Sequence, residues 1–325
     1  MNILVVGGAG YIGSHMVKML ACSGHAVTTL DNLSTGHADA VRYGELVVGD
    51  MADTPLLDRL FTDGRFDAVM HFAAFSLVGE SIGDPAKYYR NNVANTINLL
   101  DALRRHDVRH FIFSSTAATY GEPLHDFIAE DHPQQPINPY GRSKWMVEQV
   151  LADYESAYGL RSVCLRYFNA AGADPEGELG ERHDPETHLI PLVLQAASGR
   201  REAITVFGTD YATPDGSCLR DYIHVQDLCD AHLKALLWMI AADQSGRFNL
   251  GNGEGFSVLD VIGTARAVTG KPIPMVISDR RPGDPARLVA DARLAYQVLG
   301  WLPAHTDLAQ IIADAWHWEC RSQTA

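Results

Sequence analysis

The opening 31 residues limit the fold more than any other stretch. Asn2-Ile3-Leu4-Val5-Val6 is a short apolar run, the mark of a strand buried on both faces. It passes straight into Gly7-Gly8-Ala9-Gly10-Tyr11-Ile12-Gly13, and Met16, Val17, Met19 and Leu20 then recur at helical spacing up to Gly24. A second run, Ala26-Val27-Thr28-Thr29-Leu30, ends at Asp31. This is a βαβ unit whose glycines let a pyrophosphate approach the backbone while helix N–H groups point at the anion. The glycines satisfy both Gly-x-Gly-x-x-Gly (8, 10, 13) and Gly-x-x-Gly-x-x-Gly (7, 10, 13), so spacing leaves the subclass open. Asp31, eighteen residues past Gly13, stands where a carboxylate accepts from an adenosine ribose 2′-hydroxyl. Its charge would repel a 2′-phosphate, and Asn32-Leu33-Ser34-Thr35-Gly36 brings no arginine. The expected cofactor is NAD rather than NADP.

The same pattern then repeats. Glu45-Leu46-Val47-Val48-Gly49 ends at Asp50, Asp67-Ala68-Val69-Met70-His71 runs into Phe72-Ala73-Ala74, and Phe111-Ile112-Phe113 ends at Ser114-Ser115-Thr116. Four or five parallel strands joined by helices predict an α/β fold, a doubly wound Rossmann-like sheet with ligands at the strands' carboxyl ends. Asp50, Phe72, Ser114 and Ser115 all fall at that edge. Asn91-Asn92 interrupts a helix expected from Tyr88 to Leu103, where asparagine is a poor former, so a polar task facing the cofactor is expected there. After the strand Ser162–Arg166 the alternation loosens, and residues 171–190 form a Gly/Pro/Asp/Glu/His-rich loop long enough for a lid. Shorter strands are expected near 204–207 and 248–250, with helices near 226–240, 258–268 and 306–320. Residues 1–170 read as the NAD-binding domain and 171–325 as a smaller α/β substrate lobe, partly interleaved with it.

Between them lies Asn138-Pro139-Tyr140-Gly141-Arg142-Ser143-Lys144. Proline suits a first helical position, and Val147, Val150, Leu151, Tyr154 and Tyr158 continue a helix to Gly159. Tyr140 and Lys144, four apart, share one face. No other tyrosine of the twelve has a lysine at this spacing. To act as a base at pH 7 a phenol must come down from about 10 to near 7, about 4 kcal/mol. A nearby ammonium is expected to contribute much of that, and a positively charged cofactor the remainder.

Composition removes several classes of function. The formal net charge of −14 argues against nucleic-acid or anionic-membrane binding as the main role. It leaves room for one phosphorylated small molecule, and Arg220 and Arg281 could each clamp a phosphate. Cys22, Cys164, Cys218, Cys229 and Cys320 are odd in number and scattered, as expected of reduced thiols in the cytoplasm. No signal segment or membrane-length apolar run is read. His183 and His188 are five apart, without metal-ligand spacing, so no metal is expected.

Taken together, the motifs resemble the extended short-chain dehydrogenase/reductase family, in its nucleotide-sugar 4-epimerase branch. The carrying stretches are 7–15, Leu-Asp-Asn-Leu (30–33), His-Phe-Ala-Ala (71–74), Phe-Ser-Ser-Thr-Ala-Ala-Thr-Tyr-Gly (113–121) and 138–144. Leu-Arg-Tyr-Phe-Asn (165–169), Arg-Asp-Tyr-Ile-His-Val (220–225) and Arg-Pro-Gly-Asp-Pro-Ala (281–286) complete them. The resemblance implies that Tyr140 is the base on a sugar 4-hydroxyl, that Thr116 holds the same hydroxyl, and that Lys144 holds the nicotinamide ribose. It places NAD against Gly7, Gly10, Tyr11, Ile12, Gly13, Asp31, Asn32, Leu33, Ser34, Thr35, Gly36, Asp50 and Met51. Phe72, Ala73, Ala74, Ser76, Asn91, Ser114, Ser115 and Phe168 complete that set. A UDP-sugar would meet Asn169, His188, Leu189, Thr205, Val206, Phe207, Arg220, Arg281, Asp284 and Leu288.

The implied reaction interconverts UDP-glucose and UDP-galactose through a 4-keto intermediate, with hydride returned to the opposite face. A homodimer through helices near 85–104 and 140–158 is implied as well. Three positions depart from the family. Ser76 replaces a frequent lysine, His188 a frequent asparagine, and Leu288 is intermediate between a large tyrosine and the smaller residues that admit N-acetyl sugars. A 4,6-dehydratase or decarboxylase is the nearest alternative. Dehydratases usually carry an Asp-Glu pair after the Ser/Thr, where this chain has Ala117-Ala118. A non-catalytic NAD-binding regulator is the alternative of another class.

Overall fold

The computed structural model describes residues 1–281 and 284–322. Pro282 and Gly283 of the 281–286 motif lie outside the described residues. Seven parallel strands form the central sheet, in the order Gly246–Leu250, Arg161–Tyr167, His110–Thr116, Ala68–His71, Asn2–Val6, Ala26–Asp31, Glu45–Val48. The chain starts in Asn2–Val6, runs outward through two strands and returns to pair Ala68–His71 on the other side. That reversal is the switch point at which such sheets open a ligand crevice.

Strand periodicity distributes the first strand between two cores. Ile3 and Val5 pack with Met16, Val17 and Leu20 of Tyr11–Cys22 and with Leu228, Ala231 and Leu236 of Val225–Ala242. Leu4 and Val6 face Leu57, Phe61, Leu99, Leu103, Val147 and Leu151 on the opposite layer of helices. Each such side chain contributes about 1.5–3 kcal/mol on full burial, so the sheet is the stable frame. A third core joins Leu189–Ala197, Val258–Thr269 and Leu308–Ser322 over the strand Ile204–Phe207.

Four or five strands were expected before the tyrosine helix, with Ser162–Arg166 the next after it, and seven form. The additional edge strand Gly246–Leu250 comes from the second half of the chain, delivered by the helix Val225–Ala242, and pairs with Arg161–Tyr167. A strand was expected near 248–250 but assigned to the smaller lobe, and its burial on both faces (Phe248, Asn249 and Leu250) suits the central sheet. The helix expected over 88–103 is broken. Pro85–Tyr88 leads into a π-helical turn, Tyr89–Ala94, before α-helix resumes at Asn95–Arg105. Among the described residues no helix is long and apolar enough to cross a membrane.

Candidate active site

A single cleft of about 1230 Å³ runs across the carboxyl edge of the sheet into the smaller lobe. Common small-molecule sites occupy about 300–1,000 Å³, so this one has room for two ligands end to end.

One end is built from the glycine loop. Gly7 adopts φ +82, and a Cβ there would lie 2.4 Å from the Ala73 backbone nitrogen. A Cβ at Gly13 would lie 2.1 Å from the Gly7 oxygen. Those two glycines are required by the protein's own packing. Gly10 is different: its nearest would-be contact is 3.4 Å away and its flank opens on the cleft. It is also the N-cap of Tyr11–Cys22, whose first turn has no side-chain acceptor. An open flank beside unsatisfied helix amides is the cradle a dinucleotide pyrophosphate fits. Asp31 is aimed there by accepting from the Ala9 amide at 2.9 Å and the Leu33 amide at 2.8 Å. The second bond holds Leu33 at φ +58 and turns Asn32–Gly36 along the cleft wall. Asp50 accepts from the Asn32 amide side chain at 2.6 Å.

The floor is set by the helix Pro139–Tyr158. Asn138 caps it by accepting from the Gly141 amide at 2.8 Å, and Pro139 takes the first position. Gly141 lets the helix approach: a Cβ there would sit 2.4 Å from the Ala118 oxygen. Tyr140, half-buried, and Lys144, buried, thus meet Ser114 and Thr116 at the end of the neighbouring strand. The Lys144 ammonium donates to the Ser114 carbonyl at 2.8 Å and lies 4.8 Å over the Phe113 ring. Burial pushes Lys144 down to about 7, with Glu148 opposing. Burial also raises the Tyr140 phenol above 10, against a hydrogen bond with Thr116. The expected lowering of the phenol by Lys144 is therefore absent from the protein alone, because the ammonium is directed at the strand end.

The far end holds the cationic groups. Arg220 donates to Asp284 at 2.6 Å and to the Leu219 and Pro285 carbonyls, so the two positions form one fixed pair. The Arg281 guanidinium stacks 3.8 Å over Phe207. Asn169 donates to the Asp221 carbonyl at 3.0 Å, and His188 bonds Glu181. Met51, Phe72, Ala73, Ala74, Ser76, Asn91, Phe168, Leu189, Thr205 and Leu288 also line the cleft.

Two expected residues do not. Ser115 turns away and donates to the buried Glu148 at 2.5 Å, and Val206 is fully buried in the third core. Strand alternation is the reason: Ser114 and Thr116, and likewise Thr205 and Phe207, take the cleft side and leave the residue between them facing inward.

Other groups were missed. Tyr167 shares a short hydrogen bond with Ser114, and Lys87 lines the wall 4.1 Å over Phe75. Asn92 is buried and binds the Phe75 amide and carbonyl as well as the Ser143 hydroxyl. The paired asparagines flagged the place, but only Asn91 faces the cleft while Asn92 fastens its wall. His183 also lines the cleft, beside His188.

The model of the NAD dependent epimerase/dehydratase family matches residues 3–251. The UDP-glucose 4-epimerase of Halalkalibacterium halodurans is 54% identical over 318 residues, covering 98% of this chain and 95% of that protein. That of Rhizobium meliloti is 51% identical over 320 residues, covering 98% and 97%. Among solved structures, the UDP-glucose 4-epimerase from Brucella ovis in complex with NAD superimposes with a TM-score of 0.96 at 52% identity, over 98% of each chain. The one from Stenotrophomonas maltophila with bound NAD and formylated UDP-arabinopyranose gives 0.97 at 40% identity, over 100% of each chain. With a family match across most of its length and relatives near 50% identity end to end, the chain belongs to the NAD dependent epimerase/dehydratase family.

Proposed function

We propose that the chain is an isomerase that interconverts UDP-glucose and UDP-galactose at sugar C4. One observation carries this reading: Tyr140, Thr116 and Lys144 meet at the middle of a cleft with a dinucleotide cradle at one end and two arginines, Arg220 and Arg281, at the other. NAD⁺, when bound, supplies an acceptor that takes hydride from C4 and gives it back, together with a positively charged ring. Tyr140 takes the proton of the 4-hydroxyl as C4 is oxidised, while Thr116 holds the same oxygen. Arg220 and Arg281 keep the diphosphate in place as the 4-keto sugar turns over. Tyr140 then returns its proton, and the hydrogen at C4 arrives on the opposite face. Binding strength concentrated on the nucleotide, with a loosely held sugar, permits that turn.

The residues assigned above to the two ligands follow the same division in the main, with NAD against 1–170 and the UDP-sugar against 171–325, while Thr116, Tyr140 and Asn169 reach the sugar nucleotide from the first part. The segment 225–250 belongs physically with the first part, since it carries a helix and a strand of the central sheet. We also assign the chain to the cytoplasm, supported by five free thiols. A homodimer through the paired helices near 85–104 and 140–158 is supported by Met146 and Tyr158 of the second helix, large apolar side chains left 40% and 53% exposed.

The test is purified protein given UDP-galactose without added NAD. Appearance of UDP-glucose is the expected outcome. Release of water or CO₂ would assign a dehydratase or decarboxylase instead, against Ala117 and Ala118, which cannot transfer protons. An inert protein would leave only NAD binding.

A further inference from the structure

The segment from Glu181 to His188 gathers two imidazoles and two carboxylates. Glu181, His183, Glu186 and His188 each bring one ligand atom within 4.8 Å of the others. His183 Nδ1 lies 3.0 Å from Glu181 Oε1 and 3.7 Å from Glu186 Oε1. His188 Nδ1 meets the same Glu181 oxygen, so two imidazole nitrogens crowd one carboxylate. Donors about 2.0–2.2 Å from a tetrahedral zinc-class cation stand about 3.3–3.6 Å apart, a range the two His183 separations bracket, while the closer His188–Glu181 pair would open to admit the ion. Linear spacing pointed to no metal, because the two histidines five apart come with no Cys-x-x-Cys pair to complete a finger pattern. The loop turns the four groups to one point.

We propose that Glu181, His183, Glu186 and His188 form a site for one divalent zinc-class cation at the substrate end of the cleft. Both carboxylates are 6% exposed, and two buried negative charges at one point call for two positive ones. Either two imidazolium protons or one dication supplies them.

The donors are held from behind as metal ligands need to be. Glu186 Oε1 accepts from the Thr187 and His188 amides at 2.7 and 2.9 Å. The His183 ring stands edge-on to Tyr11, centroids 6.4 Å apart. Trp318 donates to the Glu181 carbonyl at 3.1 Å, and Arg182 bonds Asp39 at 2.8 Å. Mixed imidazole and carboxylate donors suit Zn²⁺ and its spectroscopic substitute Co²⁺. The other acidic group on this face, Asp174 with Glu176 and Glu178, is different: the Lys18 ammonium already sits in it. His183 and His188 both line the cleft, so the cation's remaining coordination positions open toward it.

The experiment uses untagged, chelator-treated, otherwise intact protein, equilibrated with Zn²⁺ alone and separately with Co²⁺ alone. One Zn²⁺ per chain and visible Co²⁺ absorption bands are expected. Loss of a mere supporting group costs metal sites about 10–100-fold in affinity, so His183→Asn with Glu186→Gln should weaken binding at least about a hundredfold. Glu186→Gln alone, nearly isosteric, should weaken it at least about tenfold and serves if the double variant fails to fold. Absence of saturable binding, or binding unmoved by these substitutions, would overturn the site. Since the readout is metal content, a failure here is distinct from failure to interconvert UDP-sugars.

Discussion

Tyr140 and Lys144 show what a residue pattern can and cannot convey. Their spacing placed them on one helical face, and the fold keeps them together at the cleft floor. Their burial was invisible in the spacing, and burial governs their charge. It raises the phenol above 10 and pushes the lysine down to about 7, so the protein alone does not make Tyr140 a phenolate. The charge of bound NAD⁺ is what remains to do so. Tyr140→Phe should leave thermal stability and NAD content unchanged and lower turnover by at least about a hundredfold, as for a lost general base. Near-normal turnover in that variant removes Tyr140 from the mechanism. Lys144 has a folded value below the ordinary 10.5, so between about 7 and 10.5 the unfolded chain binds a proton that the folded chain has shed. Its contribution to stability therefore grows as pH rises through that window and is lost as pH falls toward 7. Denaturant titrations at pH 7 and 10 should show the wild type gaining on Lys144→Met at the higher pH. A gap independent of pH would contradict the assignment.

At the level of elements, the glycine turn, the tyrosine helix and most sheet strands could be read directly, because each carries its own periodicity and cap. What escaped was set by contacts distant in sequence. Ser115 and Val206 sit in strands that are buried on the inner side, where apolar or small residues on both faces hide which one lines the cleft. The π turn at Tyr89–Ala94 exists where Asn92 reaches both the Phe75 backbone and Ser143, 17 and 51 residues away. Asn92→Ala leaves buried backbone groups unpaired and should cost about 1–3 kcal/mol, seen as a lowered denaturation midpoint. Gly141→Ala places a methyl group against the Ala118 carbonyl, which is backbone and cannot yield cheaply. It should destabilise by about 1–3 kcal/mol and lower kcat by moving Tyr140 off Thr116. Unchanged kcat would mean the helix seat does not position the base.

Across the whole molecule, the sheet positions one end of the cleft and the lobe after residue 170 closes the other, with 225–250 tying the two together. Chain order suggested a lobe after residue 170 partly interleaved with the first domain, but nothing in the expected strand near 248–250 showed that it joins the central sheet. The proposed homodimer can be tested at the same scale. Met146→Glu with Tyr158→Glu should halve the mass found by light scattering, whereas an unchanged mass would place the interface elsewhere. The central claim is that one hydrogen leaves C4 and comes back to the same carbon inside the closed cleft. UDP-galactose carrying deuterium at C4, incubated with the purified protein and no added NAD, should yield UDP-glucose that keeps its deuterium at C4. Product carrying solvent hydrogen at that carbon would contradict the account.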